Sequence, residues 1–245
     1  IIKMSPIKNT SLLVSVKSPE EFEKMKDLVD IIDLKNPNEG ALGAWNKKDI
    51  IKVVNKHNLI ISATLGNIHE VKDIREKLNY FDDIGLNYIK VGLFDDSIDK
   101  AIEILNLFKE KPFKTKLVPV LFAENRKIIE FTFDNLNKFI ESKIEILLLD
   151  TFNKKSLNIL NLLSYSFIRN IIYKCDQINL KVGLAGKINI NDLNNLLLLR
   201  PYLIGLRSAV CKSFKRESSV SIKLAKEIKS HFIYDNKNAH DAAGA

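Results

Sequence analysis

The sequence predicts an α/β fold, a single (β/α)8 TIM barrel, and two observations support this prediction. Short β-branched runs alternate with longer segments of helical periodicity, and each predicted strand is followed by a predicted helix. Strict alternation implies parallel strands, and eight such units in 245 residues match the size of a closed barrel. A doubly wound open sheet is the alternative, because the sequence does not show whether the sheet closes. The first strand is not followed by a glycine-rich phosphate loop, which disfavours the nucleotide-binding form of that alternative.

The elements follow from the order of these two patterns. Apolar, β-branched runs predict strands over residues 11–16, 31–36, 59–66, 88–94, 116–123, 144–152, 181–186 and 202–210. Amphipathic periodicity predicts helices over residues 19–28, 47–57, 71–84, 98–109, 133–141, 156–175, 190–199 and 217–232. The first helix has the clearest start, with Ser18 as its cap, Pro19 at its first position and Glu21 at its third. We assign residues 1–236 to one catalytic barrel domain and residues 237–245 to a disordered tail.

The composition is that of a globular protein with a basic surface. Hydrophobic residues make up 46% of the chain and charged residues 28%, so the chain can bury a sizeable core. The 38 Lys and Arg residues outnumber the 30 Asp and Glu residues, which gives a net charge of +8. Most basic residues are Lys scattered through helical segments without interleaved aromatic residues, so we expect a solvated surface and no nucleic-acid partner. A phosphorylated small substrate would need only a few of these charges.

Patterns of cysteine, histidine and apolar residues exclude several other classes. Cys175 and Cys211 lie far apart and neither has a neighbour at metal-ligand spacing, so we expect two reduced thiols. The four His residues form no ligand pair, and we expect no metal site. No apolar run approaches the ~20 residues that span a bilayer, and no signal peptide is recognisable. We therefore expect a cytoplasmic protein with no membrane partner.

Charged residues occur inside or at the ends of several hydrophobic strands. Because side chains alternate across a strand, Asp33 and Lys35 share one face of the second strand, and their apolar neighbours share the other. The same parity directs Lys90 and Asp150 inward from the fourth and sixth strands, and Lys154 follows in the loop after the sixth. The pattern therefore predicts five charged side chains near the C-terminal mouth of the barrel.

Charges directed into a barrel must form pairs, bind a ligand or take part in chemistry, since burying an unpaired ion costs several kcal/mol. A structural network of ion pairs is one interpretation. Three amines around two carboxylates leave an excess of positive charge, which suits a substrate that carries phosphate. Crowded, partly desolvated Lys residues also favour a neutral amine, and a neutral amine can attack a carbonyl to form a Schiff base. The pattern therefore favours Schiff-base chemistry on a phosphorylated carbonyl compound.

A second cluster combines Gly, Ser and basic residues in the loops after the last two strands. Barrels often bind phosphate there, through backbone N–H groups and a helix N-terminus. Gly186 and Ser208 are the candidates for backbone or hydroxyl contacts, and Lys187 or Arg207 would supply charge. Ordinary turn chemistry is the alternative explanation for these residues.

Seven segments together carry a family signature. They are LLVSVKSPEEF, DIIDLKNPNEGALGA, ISATLGN, YIKVGL, LLLDTFNKKSL, GLAGK and PYLIGLRSAVC. In this order they resemble the archaeal (5-formylfuran-3-yl)methyl phosphate synthases, also called 4-(hydroxymethyl)-2-furancarboxaldehyde-phosphate synthases. The resemblance runs from about residue 11 to residue 216, and its most specific part is the pattern DxKNPxEGxLGA.

The resemblance implies a barrel enzyme of class I aldolase type, a lyase that forms a furan phosphate from two molecules of glyceraldehyde 3-phosphate in methanofuran biosynthesis. The catalytic groups of the family fall on Asp33, Lys35, Lys90, Asp150 and Lys154. These are the five residues that strand parity and position also select.

The chain departs from the family pattern in its loops. Asn67 stands where the family has Asp, Ala41 replaces a usual Ser, and Ser208 replaces a usual Gly. The segment CKSFKR, residues 211–216, lacks the glycines expected there. These departures concern phosphate binding and loop geometry rather than the five charged positions.

The mechanistic hypothesis is that Lys35 forms an iminium with one triose phosphate and Asp33 shuttles protons. Lys90 would lower the proton affinity of Lys35 and contact phosphate, while Asp150 and Lys154 would serve the second triose. No metal or organic cofactor is expected, because the iminium is itself the electron sink. Rival hypotheses are another Schiff-base aldolase, a phosphosugar isomerase, or a non-catalytic nucleic-acid-binding protein. Base rates for enzymes add a homo-oligomer as an expectation.

Overall fold

The computed structural model describes residues 9–54, 59–94, 97–110, 113–153 and 157–243, with side chains described as far as residue 233. Its eight parallel strands form a closed barrel in sequence order, and pairing of the first strand with the eighth closes the ring. The predicted (β/α)8 barrel is therefore confirmed, and the open doubly wound sheet is excluded.

The strands lie inside the ranges predicted from the sequence. They are β1 (Ser11–Val16), β2 (Ile31–Leu34), β3 (Ile60–Thr64), β4 (Tyr88–Leu93), β5 (Lys116–Phe122), β6 (Ile146–Asp150), β7 (Lys181–Leu184) and β8 (Leu203–Leu206). Short 3-10 turns follow β2, over Pro37–Glu39, and β8, over Ser208–Val210 and Lys212–Phe214. These turns form part of the C-terminal rim of the barrel.

The helices surround the barrel and differ from the prediction at several ends. They are α1 (Pro19–Met25), α2 (Lys47–Val54), α3 (Val71–Phe81), α4 (Ile98–Glu110), α5 (Arg126–Asp134), α6 (Leu136–Glu141), α7 (Ile159–Leu162), α8 (Tyr165–Asp176), α9 (Ile190–Leu197) and α10 (Ile222–Ala243). The cap predicted for α1 is present, since the Ser18 hydroxyl accepts a hydrogen bond from the backbone N–H of Glu21.

Helix α5 lies largely before the predicted range 133–141, which α6 occupies, and the predicted helix 156–175 is divided into α7 and α8. Asn135 ends α5 and precedes α6, and its side chain donates to the carbonyl of Phe131. Leu163 takes an extended conformation between α7 and α8, and Ser164 then caps α8 through the N–H of Phe167. Polar side chains that bond to nearby backbone compete with continuous helix at these points.

The last helix starts five residues later than predicted. Residues 217–221 belong instead to the loop after β8, where Cys211 and Val220 form an isolated antiparallel bridge. At its other end the helix is described to Ala243, past residue 236, and the boundary between the barrel and a terminal tail stays a prediction. Within the described ranges no helix combines the length and apolar character needed to cross a bilayer.

Two hydrophobic layers confirm the predicted strand parity. The inner layer fills the barrel and includes Ile31 and Leu148. The outer layer packs strands against helices and includes Ile32, Leu34 and Leu149. Because side chains alternate, the position of Ile31 directs Asp33 inward, and that of Leu148 directs Asp150 inward.

Candidate active site

A buried carboxylate lies at the centre of the candidate site. The strand register places Asp33 of β2 beside Ser15 of β1 and Ser62 of β3. Ser15 Oγ donates to Asp33 Oδ2 at 2.8 Å, Ser62 Oγ donates to Oδ1 at 3.0 Å, and Lys90 Nζ lies 2.9 Å from Oδ1. The two serines were missed by the sequence reasoning, although each is a polar residue with the inward parity of its strand. Together these groups satisfy a carboxylate that solvent does not reach.

The surroundings of Asp33 keep it ionised. Burial acts to raise its pKa, but the charges of Lys90 and Lys35 and the hydrogen bonds from Lys90 and Ser15 act in the opposite direction. The balance lowers the pKa of Asp33 below its ordinary value. Asp33 is therefore an anion held by a lysine and two serines.

A cavity of about 330 Å³ opens above this cluster and is lined by residues from several strand ends. Ser15 and Lys90, which hold Asp33, form part of its wall, together with Lys35 and Asp150. The structure thus brings together four of the five charged residues predicted from the sequence. Lys154, the fifth, lies outside the described residues.

Lys35 and Asp150 face one another in the cavity. Their closest atoms, Lys35 Nζ and Asp150 Oδ2, lie 3.7 Å apart, and both side chains are largely buried. The other carboxylate oxygen, Oδ1, accepts the backbone N–H of Thr151 at 2.7 Å, which fixes the orientation of Asp150. An amine and a carboxylate at this separation can exchange a proton with a bound substrate directly or through one water molecule.

The loop that leads to Lys154 is anchored by a carboxylate of the neighbouring β5–α5 loop. Glu124 accepts the backbone N–H groups of Phe152 at 2.9 Å and Asn153 at 3.0 Å. Phe152 also packs edge-on against the stacked rings of Phe94 and Phe122. These contacts hold the chain that leaves β6.

The four residues predicted to bind phosphate, Gly186, Lys187, Arg207 and Ser208, all line the same cavity. Gly186 has a positive φ of 108°, and a Cβ at this position would lie 2.8 Å from Cγ2 of Thr151. The position therefore requires glycine, because both the backbone conformation and the contact with the loop after β6 exclude a side chain.

The hydrogen-bond donors of Arg207 are all engaged by protein groups, so none is left for substrate phosphate. Its Nη1 donates to Glu21 Oε2 at 2.5 Å and to the carbonyl of Ser15 at 3.0 Å. Its Nη2 donates to Glu21 Oε1 at 3.2 Å and to the carbonyl of Ser218 at 2.8 Å, and its Nε donates to the carbonyl of Arg216 at 2.7 Å. A guanidinium has five N–H groups, and these five contacts engage all of them.

Arg216, which the sequence reasoning missed, connects the loops after β8 and β2. It lines the cavity, and its Nη2 donates to the carbonyl of Gly40 at 3.0 Å. The loop around Gly40 is itself held by Asn67, whose side chain accepts the N–H of Leu42 and donates to the carbonyl of Glu39. An aspartate at position 67 could accept the first of these bonds but could not donate the second, so this departure from the family pattern matches the local structure.

The two cysteines are free and buried. Burial raises the pKa of the Cys175 thiol to about 12 and that of Cys211 to about 11. Both thiols are protonated at neutral pH and are poor nucleophiles. Lysine amines are the nucleophiles that the cavity presents.

Sequence comparison gives a consistent result over most of the chain. A family model described as 4-HFC-P synthase matches residues 12–229. The (5-formylfuran-3-yl)methyl phosphate synthase of Archaeoglobus fulgidus is 28% identical over 86% of this chain and 97% of its own length. The enzyme of the same name from Methanopyrus kandleri is 25% identical over 91% of this chain and 95% of its own length.

Solved structures with a similar fold are also barrel enzymes. The 3-hexulose-6-phosphate synthase of Salmonella typhimurium superposes with a TM-score of 0.60 at 14% identity, covering 92% of this chain and all of that one. Phosphoribosyl anthranilate isomerase of Thermotoga maritima gives a TM-score of 0.60 at 14% identity, covering 94% of this chain and 99% of that one. At this level of identity the likeness establishes the fold alone.

Proposed function

The chain belongs to the 4-HFC-P synthase family, and on that premise we propose that it forms (5-formylfuran-3-yl)methyl phosphate from two molecules of glyceraldehyde 3-phosphate, in methanofuran biosynthesis. The overall reaction releases one phosphate and two water molecules and changes no net oxidation level. It therefore requires proton transfers, an elimination and one new carbon–carbon bond, but no oxidant or reductant. The observation that carries the proposal is the single cavity that Lys35, Lys90 and Asp150 line.

Lys35 is the proposed nucleophile. Lys90 is bound to Asp33 at 2.9 Å, and Lys35 Nζ lies 3.7 Å from Oδ2 of Asp150 at the cavity wall. Asp150, which faces the Lys35 amine, is placed to carry the protons that iminium formation moves. The neutral Lys35 amine adds to the aldehyde of one triose phosphate, and loss of water from the adduct gives an iminium.

Asp150 is the proposed base for the next step. It removes a proton from the carbon next to the iminium, and the electron pair of the resulting enamine expels the phosphate from the third carbon. The leaving phosphate takes the electrons of its carbon–oxygen bond. The second triose phosphate isomerises to its keto form through an enediol, and the third carbon of the remaining enol unit adds to that keto carbon. The free hydroxyl of the second unit closes the ring on the second carbon of the first unit, two water molecules leave, and hydrolysis of the iminium releases the furan and Lys35. Lys154 remains the residue predicted to act on the second triose.

Asp33 receives a different role from the proton shuttle first predicted. Its carboxylate lies behind Ser15 and Lys90, its pKa is lowered, and its partners occupy both oxygens. We assign it as the counter-ion that fixes the position of Lys90. Lys90, together with Lys187, Gly186 and Ser208, then supplies the positive charge and polar groups for substrate phosphate.

Two measurements test the proposed function. Incubation with glyceraldehyde 3-phosphate is expected to produce the ultraviolet absorbance of a furan aldehyde and one phosphate per furan. A simple aldol adduct or an isomerised triose phosphate would instead support the rival aldolase or isomerase. Borohydride reduction during turnover, followed by peptide mass mapping, is expected to attach the three-carbon unit to Lys35. An adduct on Lys90 would support Schiff-base chemistry with Lys90, rather than Lys35, as the nucleophile.

A further inference from the structure

Arg216 is a cation whose hydrogen-bonding capacity the described residues leave largely unused. Among them, its guanidinium makes one hydrogen bond, to the carbonyl of Gly40, and an ion pair at 4.0 Å with Glu217. Its side chain is 16% exposed. Burial lowers the pKa of this guanidinium, while the charges of Glu217 and Asp150 raise it. A partly buried cation with unused donors at the wall of a cavity is suited to an anionic ligand.

The backbone that carries Arg216 is fixed by an ion pair from the opposite side of the loop. Arg207 donates to the carbonyls of Arg216 and Ser218, two residues apart, and its guanidinium forms two bonds with the carboxylate of Glu21. Glu21 also accepts the backbone N–H of Val220 at 3.2 Å. Residues 216–220 are therefore tied to α1 and β1 through buried, fully engaged groups.

We propose that Arg216 is the guanidinium that binds substrate phosphate, and that Glu21 and Arg207 are positioning residues that hold it at the cavity. The inference rests on the proposed function, because it takes the anion to be the phosphate of a triose. The planar guanidinium matches phosphate oxygens in two parallel hydrogen bonds, and a fixed loop loses less conformational freedom when the ligand binds. In this proposal Arg216, nine residues further along the chain, supplies the positive charge that was predicted to come from Arg207.

The test separates phosphate binding from Schiff-base chemistry. Glyceraldehyde 3-phosphate is trapped on the protein by borohydride with inorganic phosphate as a competitor, and D-glyceraldehyde, which lacks phosphate, is trapped in a parallel reaction without a competitor. The Arg216→Met variant is expected to lose much more of its trapping by glyceraldehyde 3-phosphate than of its trapping by glyceraldehyde. It should need roughly ten- to a hundredfold more phosphate for the same inhibition and show a similar rise in KM for glyceraldehyde 3-phosphate. Unchanged inhibition by phosphate in Arg216→Met, or wild-type trapping that phosphate does not slow, would overturn the inference.

The positioning role of Glu21 and Arg207 gives a separate prediction. Glu21→Gln is expected to raise the KM for glyceraldehyde 3-phosphate with a smaller effect on kcat, and to add little to the effect of Arg216→Met in the double variant, because it acts through Arg216. Full additivity of the two changes would contradict this. If Glu21→Gln does not fold, Arg207→Lys is combined with Arg216→Met in the same way. Lys109→Met, which breaks an exposed ion pair with Glu141, serves as the neutral control.

Failure of this inference differs from failure of the proposed function. A wild-type protein that gives neither a furan nor a trapped adduct would remove the proposed function. A protein that does both, but whose phosphate affinity is unaffected by Arg216→Met, would remove only the role of Arg216. If Arg207→Lys lowers the phosphate affinity and Arg216→Met does not, Arg207 is the residue that contacts phosphate.

Discussion

Lys90 and Asp33 form an ion pair at 2.9 Å in which 7% of the lysine side chain and none of the aspartate side chain is exposed. The two residues come from β4 and β2, with β3 between them, so the pair crosses the interior of the barrel. Ser15 and Ser62 donate further hydrogen bonds to the same carboxylate. An ion pair in this setting stabilises the fold only while both partners are present.

Asp33→Asn should therefore be strongly destabilising. The amide keeps the shape of the carboxylate but leaves the Lys90 ammonium without a counter-ion, which costs about 3–5 kcal/mol of the free energy of unfolding. Urea denaturation followed by circular dichroism measures the loss. Glu141→Gln, which breaks an exposed ion pair with Lys109, should change the midpoint very little. Equal midpoints for the two variants would contradict the role of Asp33.

The same pair predicts how stability depends on pH. The pKa of Asp33 is lowered in the folded protein, so the unfolded chain binds more protons between the folded pKa and the unfolded value of about 3.9. The contribution of Asp33 is present above that unfolded value and is lost as the pH falls through the folded pKa. Urea midpoints measured from pH 6 to pH 3 should fall more steeply for the wild type than for Asp33→Asn. Parallel curves would show that Asp33 does not titrate as assigned.

Lys35→Arg should keep the fold and abolish turnover. A guanidinium stays protonated at neutral pH, so it retains the positive charge opposite Asp150 but cannot form an iminium. The expected result is a loss of furan absorbance and of borohydride trapping. The free energy of unfolding should stay within about 1 kcal/mol of the wild-type value. Full activity of this variant would rule out Lys35 as the covalent nucleophile.

The sequence was sufficient to predict eight strand–helix units and the inward faces of their strands because both depend on local periodicity, whereas closure of the sheet was shown by the pairing of β1 with β8. Alternation along β2 puts Asp33 and Ile31 on one face whatever the rest of the chain does. Ser15 and Ser62 could be recognised only after the register was known, because each hydroxyl finds Asp33 across a strand boundary. The strand pairing therefore added the information that the single strands lacked.

The phosphate side of the cavity was harder to predict because it depends on pairing between distant residues. Glu21 and Arg207 are remote in sequence, and no local pattern indicates that one guanidinium is fully engaged while the next, Arg216, is not. The loop before Arg216 shows the same limit. Ser213 and Phe214 take φ values of 55° and 53°, the left-handed conformation that the expected glycines would adopt more easily. The loop thus takes a conformation that favours glycine while carrying Ser and Phe at these two positions.

Gly186→Ala should damage both stability and substrate binding. The new Cβ would lie 2.8 Å from Cγ2 of Thr151 at a residue whose φ is 108°, so the backbone must move, and this costs about 1–3 kcal/mol. The movement shifts Lys187 at the cavity wall, and we expect a higher KM for glyceraldehyde 3-phosphate together with a lower urea midpoint. Gly205→Ala is the matched control for the urea midpoint, because its Cβ would meet neighbours no closer than 3.4 Å and its φ is not positive. If the two alanine variants behave alike, close contact with the loop after β6 is not what requires glycine at position 186.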